Sequence, residues 1–199
     1  MTSISLLVLG LHNCGKTSLA DGLCNNNKSR YKVPTIGVNS MYYYGENQTL
    51  SITDMGGSLW NREFWSLYDN SVDMILYVID LSDEAKFADS VEVLNFYILK
   101  TKSDRRKPVY IIGTKRDICT RDIRYLQLIN HVIPKIQSIN KNHGCYFMCV
   151  DTYDQVDIDV LRQSIISIVA QKKAQEDKSL YCICDYIFPF KKLIGDGEG

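Results

Sequence analysis

Gly10, Gly15, Lys16 and Thr17 stand in the order G-x-x-x-x-G-K-[ST], inside "GLHNCGKTS" at residues 10 to 18. That order suits a chain of phosphates. Several negative charges call for converging backbone N–H groups, which glycine permits through φ values closed to other residues, and a helix starting at the loop adds its positive end. Lys16 supplies a point charge and Thr17 a hydroxyl suited to Mg²⁺, while His12, Asn13, Cys14 and Ser18 are the loop neighbours expected to join them in binding the nucleotide. Asp54, at the end of the apolar run "TLSIT", adds a carboxylate that can reach the metal through water, and Thr35 in "PTIG" offers a second hydroxyl on a segment stiffened by Pro34. Gly56 and Gly57 follow at once. Lacking side chains, they let a backbone N–H approach a terminal phosphate.

The base is read from "GTKRD" at 113 to 117. A carboxylate at Asp117 can accept from both N1–H and the 2-amino group of guanine, a donor pair that adenine lacks, and the Lys115 stem can lie along the ring. The ligand expected is therefore GTP or GDP with Mg²⁺.

These groups need a scaffold that brings them to one edge. Six apolar runs, "SISLLVLG", "NSMYYYG", "TLSITDMG", "DMILYVID", "KPVYIIGTK" and "GCYFMCV", read as strands, with helices beginning near Lys16, Leu59, Glu84, Asp122 and Gln155. Pro134 is expected to kink or divide the fourth helix. Gly45-Glu46-Asn47 reads as a hairpin turn, so one strand pair is antiparallel in an otherwise parallel, helix-covered sheet. Such sheets bind ligands beyond the carboxyl ends of their strands, where the loop after Leu9 lies.

With 199 residues, 45% of them apolar, the chain suits one domain with a sizeable core. Its 23 basic and 23 acidic side chains cancel, which gives no general polyanion-binding surface, so nucleic acid is not an expected partner. Seven cysteines, several of them in apolar runs, favour reduced thiols in a cytosolic protein; no zinc-like spacing is convincing, Cys182-x-Cys184 included. His131 and His143 have no metal-like partners, and the acceptor patterns at Asn27 and Asn47 lack a secretory signal. No run approaches the roughly 18 apolar residues of a membrane span.

The quoted motifs together resemble those of Ras-superfamily small GTPases, and specifically the Arf and Arf-like branch, over roughly residues 4 to 172. "GLHNCGKTS" is similar to the branch's G-L-D-x-x-G-K-T, "VPTIGVN" to its P-T-I-G-F-N, and "TDMGG" followed by Trp65 and Tyr68 to its W-D-x-G-G-Q helix. The resemblance implies a P-loop small G-protein domain over 1–175, with a six-stranded, mostly parallel sheet flanked by five helices, and a C-terminal extension over 176–199. It further implies two nucleotide-sensitive segments, around 30 to 39 and 54 to 69, exchange and activating factors, and effectors in membrane or ciliary traffic. "CVD" at 149 to 151 is similar to the family's base-backing loop, which implies that the backbone of Val150 meets the guanine oxygen.

Departures from the branch are equally specific. Ser58 stands where most members have the glutamine that orients attacking water, and its hydroxyl is too short to reach the same place, so hydrolysis is expected to be slow or partner-assisted. Lys16, Thr35, Gly57 and Ser58 form the expected catalytic set. His12 replaces an aspartate, and can donate to a phosphate, obstruct an incoming arginine, or stand as a plain surface residue. Thr114 replaces asparagine in N-K-x-D, as in Rho-like GTPases, which keeps guanine recognition plausible. Val38 and Thr53 replace two aromatics of the effector trio, leaving Tyr68, so partner choice is expected to differ. Thr2 leaves no N-myristoylation signal, and the C-terminus has no prenylation box; "YCICDYIFPF" can pack, take palmitate or bind a partner, which keeps peripheral membrane attachment open for a cytoplasmic protein.

Three functions compete on this reading. The first is a GTP-dependent switch, the second a guanine-nucleotide-binding interaction protein that does not cycle, and the third an ATP-dependent small-molecule kinase. The third leaves Asp117 and "PTIG" unexplained.

Overall fold

The computed structural model describes residues 2–26, 33–69, 71–100, 107–118 and 144–177, together with residues 130 and 134. In chain order the elements are β1 (Thr2–Gly10), α1 (Lys16–Leu23), β2 (Val38–Tyr44), β3 (Gln48–Met55), α2 (Leu59–Arg62), α3 (Trp65–Asp69), β4 (Met74–Asp80), α4 (Glu84–Lys100), β5 (Val109–Thr114), β6 (Cys145–Cys149) and α5 (Gln155–Asp177). The helix expected from Asp122, the tail from residue 178 onward, Asn27, Cys119, His131 and His143 lie outside the described residues. α5 runs to Asp177, past the expected boundary at 175.

The strands form one six-stranded sheet in the order β2-β3-β1-β4-β5-β6. β2 and β3 pair antiparallel, closed by the Gly45 N–H donating to Gln48 O at 2.8 Å; the remaining neighbours are parallel. This is the mostly parallel, helix-covered α/β sheet expected from the pattern of strands and helices.

Alternation along each strand divides the core in two. Leu6 and Val8 of β1 face Leu19 and Leu23 of α1 and Ile158, Leu161 and Ile165 of α5. Leu7 and Leu9 face the other way, onto Met55, Trp65, Leu94 and Tyr97. β4 is covered on both faces and is buried at every position, which is why "MILYVID" shows no alternation. α1 approaches α5 closely: a Cβ on Gly22 would come within 2.9 Å of Ile158 Cδ1.

One helix departs from the sequence pattern. The single helix expected from Leu59 is divided into α2 and α3 by a turn at Glu63 and Phe64. The two segments differ in burial. Trp65, only 1% exposed, packs edge-on against Tyr77 and Tyr97 and donates its Nε1–H to Gly56 O at 3.2 Å, whereas Trp60 is 82% exposed.

Strand register brings the chemistry to one edge. Val8 pairs with Asp54, Gly10 with Val78, and Asp80 with Thr114, so the carboxyl ends of β1, β3, β4 and β5 lie together.

Candidate functional site

The loop between β1 and α1 turns on two glycines. Gly10 has φ 145° and Gly15 φ 91°, and a Cβ on Gly10 would collide with the Val78 carbonyl oxygen, so the loop can neither bend nor seat itself with another residue there. Gly15 opens α1: its carbonyl receives the Leu19 N–H at 2.9 Å. Asn13 takes φ 61°, which asparagine tolerates better than most residues.

Lys16 is 6% exposed, and its Nζ donates to Leu11 O at 2.6 Å, placing the ammonium within the curl of the loop. Cys14 lies beneath, its thiol pushed up from the ordinary value by burial, an effect that the neighbouring Lys16 charge opposes. The cysteine is thus a neutral filler of the loop.

Three oxygen-bearing side chains from three segments converge next to Lys16. Thr17 Oγ1 donates to Asp54 Oδ2 at 2.6 Å, Thr35 Oγ1 lies 2.9 Å from Thr17 Oγ1, and Thr35 reaches Asp54 Oδ2 at 3.3 Å. Asp54 is fully buried and its Oδ1 has no hydrogen-bond partner. Burial pushes its carboxyl above the usual range, against the pull of the Thr17 hydrogen bond and the Lys16 charge. A buried carboxylate oxygen without a partner, beside two hydroxyls, fits a hard divalent cation such as Mg²⁺.

The two glycines after Asp54 tie this cluster together. The Gly56 N–H donates to Gly37 O at 2.8 Å, joining the segment that carries Thr35 to the one that carries Ser58. Gly57 lies directly on the phosphate loop: a Cβ there would fall 2.5 Å from Gly10 O and 2.6 Å from His12 N. His12, Asn13, Gly15, Lys16, Thr17, Ser18, Thr35, Gly57 and Ser58 all line a single cavity of about 760 Å³. Ser58 is exposed, and its Oγ accepts a hydrogen bond from Asn61 Nδ2 at 2.9 Å.

The end of β5 is bonded to the same loop. Thr114 is 1% exposed, and its Oγ1 donates to Cys14 O at 2.7 Å. Lys115, with φ 60°, donates to Asn13 O at 3.0 Å and to Asp80 Oδ2 at 2.5 Å. Asp117 is exposed beyond this turn. Val150 is buried, and its N–H donates to Gly113 O at 2.8 Å, extending the β5–β6 ladder.

Sequence reasoning missed several participants. Asp80 fixes the Lys115 ammonium and also receives the Ser82 N–H and hydroxyl; its place at the end of β4, matching that of Asp54 on β3, was the available signal. Arg62 lines the cavity and donates its Nε–H to Gly57 O at 3.2 Å, and Asp89 of α4 joins it there. Val33, Leu59 and Trp60 line the same cavity and are between 73% and 85% exposed, and Ile36, Phe64 and Leu67 are exposed as well. Tyr68, in contrast, packs partly into the core, and Val38 is 37% exposed.

The sequence profile of the ADP-ribosylation factor (Arf) family matches residues 1–150. The chain belongs to the Arf family. ADP-ribosylation factor-like protein 8c of Arabidopsis thaliana is 30% identical over 158 residues, which span 79% of this chain and 83% of that protein. ADP-ribosylation factor-like protein 8d of the same plant is 33% identical over 115 residues, 58% of this chain and 65% of that protein. Among solved structures, the Arl6 (BBS3) small GTPase from Trypanosoma brucei with bound GppNp matches with a TM-score of 0.68 at 16% identity, covering 85% of this chain and 99% of that one. That likeness carries the fold, while the profile and the plant relatives carry the family. As an Arf-family chain the protein is a small GTPase of the GTP-binding type, and GTP, GDP and Mg²⁺ are the ligands general to that family.

Proposed function

We propose that this Arf-family chain is a molecular switch that cycles between GTP and GDP states, with slow or partner-assisted hydrolysis, and that its two mobile-phosphate sensors are Thr35 and Gly57. The observation that carries the reading is the convergence of Thr17, Thr35 and the buried, half-partnered Asp54 on one point beside Lys16. Thr17 and Thr35 would hold Mg²⁺ by their hydroxyls, with Asp54 acting through water. When bound, the ion supplies positive charge against the terminal phosphates. The loop N–H groups and Lys16 bind and orient the phosphate chain, and Asp117 with Lys115 reads guanine.

Switching follows from where the sensors sit. Thr35 and Gly57 belong to separate segments joined by the Gly56–Gly37 hydrogen bond, so a terminal phosphate that engages both would order both. Effectors would read Val38, Thr53 and Tyr68 together with the exposed apolar groups around Trp60, in membrane or ciliary traffic; exchange and activating factors would set the cycle. Aromatic anchors of this kind dominate binding energy. The site of action would be cytoplasmic or peripheral to a membrane.

Limited proteolysis tests the switch. GTP and GDP complexes are expected to differ in protection between residues 30 and 70, and identical digestion patterns would overturn cycling. The second reading, a non-cycling guanine-nucleotide binder, draws on Ser58, whose hydroxyl is shorter than a glutamine carboxamide. Stimulated turnover in the presence of an activating factor would remove it.

A further inference from the structure

We propose that Asn61 is a positioning residue for the slow GTP hydrolysis proposed above, holding the Ser58 hydroxyl so that it does part of the water-orienting work of the longer carboxamide usual in the family. The inference rests on the GTPase reading above.

The first observation is a diverted hydroxyl. Ser58 precedes α2 with extended backbone, φ −69° and ψ 158°, in the position where a serine Oγ ordinarily accepts a backbone N–H of the first turn. It makes no such capping bond. Its backbone carbonyl takes the Asn61 N–H at 3.0 Å, while its Oγ takes the Asn61 carboxamide at 2.9 Å. The spacing of three residues places both side chains on one face of the turn.

The second observation is where that carboxamide sits. A Cβ on Gly56 would run into Asn61 Nδ2 and come within 2.7 Å of its Cγ and 2.9 Å of Thr35 O. The amide is therefore lodged against the backbone of Gly56, which itself lies close to Thr35 O, and Ser58 lines the cavity together with Lys16, Thr17, Thr35 and Gly57.

The chemistry follows from counting hydrogen-bond capacity. A serine hydroxyl has one proton and two acceptor lone pairs. Asn61 occupies one lone pair, which fixes the oxygen and leaves it one donor and one acceptor. A carboxamide offers the same two functions, accepting from an attacking water and donating to a phosphate oxygen. In hydrolysis the water oxygen bonds to the γ-phosphorus as the bond to the β–γ bridging oxygen breaks. The bridging oxygen leaves with its electron pair as part of GDP, and the water's protons pass to inorganic phosphate and solvent. Ser58 and Asn61 exchange no atoms; they orient the water. Loss of such positioning costs up to about a hundredfold in rate.

The test is single-turnover hydrolysis of Mg²⁺-loaded GTP by the full chain, with GTP and GDP affinities measured in parallel. Asn61→Ala and Ser58→Ala are each expected to slow turnover about tenfold or more, with affinities unchanged, and the double variant is expected to be no slower than Ser58→Ala. Rescue separates positioning from scaffolding: Ser58→Gln is expected to hydrolyse equally fast with and without Asn61→Ala. Turnover by the wild type that is indifferent to Asn61→Ala overturns the pair alone. So does an Asn61→Ala defect that Ser58→Gln fails to rescue. Wild type that binds GTP yet never hydrolyses it overturns the pair and the hydrolytic half of the switch, and failure to bind GTP overturns the GTPase reading itself.

Discussion

The guanidinium carbon of Arg162 lies 4.5 Å from the centre of the Tyr43 ring, so that α5 and β2 meet at one buried cation. The same group donates through Nε to Leu23 O at 3.1 Å and through Nη2 to Gly22 O at 3.2 Å and Asn25 Oδ1 at 2.8 Å. It thereby closes the end of α1, from which the chain departs toward Thr35.

Replacing Arg162 tests this closure. The side chain is 5% exposed, and Arg162→Ala strips donors from two helix-end carbonyls and a cation from the ring. The expected loss is about 2–4 kcal/mol. It is read as a lower urea midpoint at unchanged slope. Arg162→Lys is expected to recover only part, because an ammonium cannot span the carbonyls as a planar fork does.

Gly57→Ala addresses switching without removing any charged group. The added methyl would meet Gly10 O and His12 N at 2.5 and 2.6 Å, so Gly57 must withdraw from the loop. Nucleotide binding is expected to persist, whereas the difference in protease protection between GTP and GDP forms is expected to vanish. Protection patterns that match the wild type would place the sensor elsewhere.

Metal dependence tests the proposed role of Asp54. Chelating Mg²⁺ is expected to speed release of a fluorescent GDP analogue by about tenfold or more, since about 1.4 kcal/mol of lost binding already gives that factor. Asp54→Asn is expected to release nucleotide quickly whether or not Mg²⁺ is present. A variant that keeps the full wild-type response to Mg²⁺ would exclude Asp54 from the metal site.

The proposed reader of the base is one exposed carboxylate, Asp117. Asp117→Asn exchanges an acceptor for a donor at the guanine edge, so the preference for GTP over ATP in direct competition is expected to fall by about tenfold or more, the scale of one charge-assisted contact. Unchanged preference would show that Asp117 is not the reader.

The buried Cys24 and the half-buried Cys145 give a pH prediction. Burial pushes Cys24 up to about 11 and Cys145 up to about 12. Above the unfolded value of about 8.5 the unfolded chain loses these protons before the folded one does, so stability is expected to fall as pH rises from about 8.5 through 11. At neutral pH both thiols stay protonated. Iodoacetamide is expected to spare them in the native protein and label them after unfolding, as peptide mass spectrometry would report.

Much of this protein was legible in its sequence, for a physical reason. Burial on two faces makes β4 a continuous apolar run, one-face burial gives β3 its alternation, and the tight turn between β2 and β3 requires small polar residues at Gly45 and its neighbours. The phosphate loop is likewise local: its φ values are set by Gly10 and Gly15 within a few residues of Lys16 and Thr17. Composition and spacing could therefore point to a nucleotide-binding α/β domain.

Tertiary structure decided what spacing cannot encode. The seat of Trp65 depends on Tyr77 and Tyr97, residues distant in sequence. The ties from Thr114 to Cys14 and from Lys115 to Asp80 arise only when parallel strands come into register. So does the spending of the Val150 N–H on Gly113. Ser58 read alone is a missing glutamine; folded, it is one half of a hydrogen-bonded pair with Asn61. The sequence by itself determined which groups could meet a phosphate, because short-range backbone geometry selects them. Which partner each group takes was settled by long-range packing, which alone fixes the distances and the direction of every hydroxyl and carboxylate in the site.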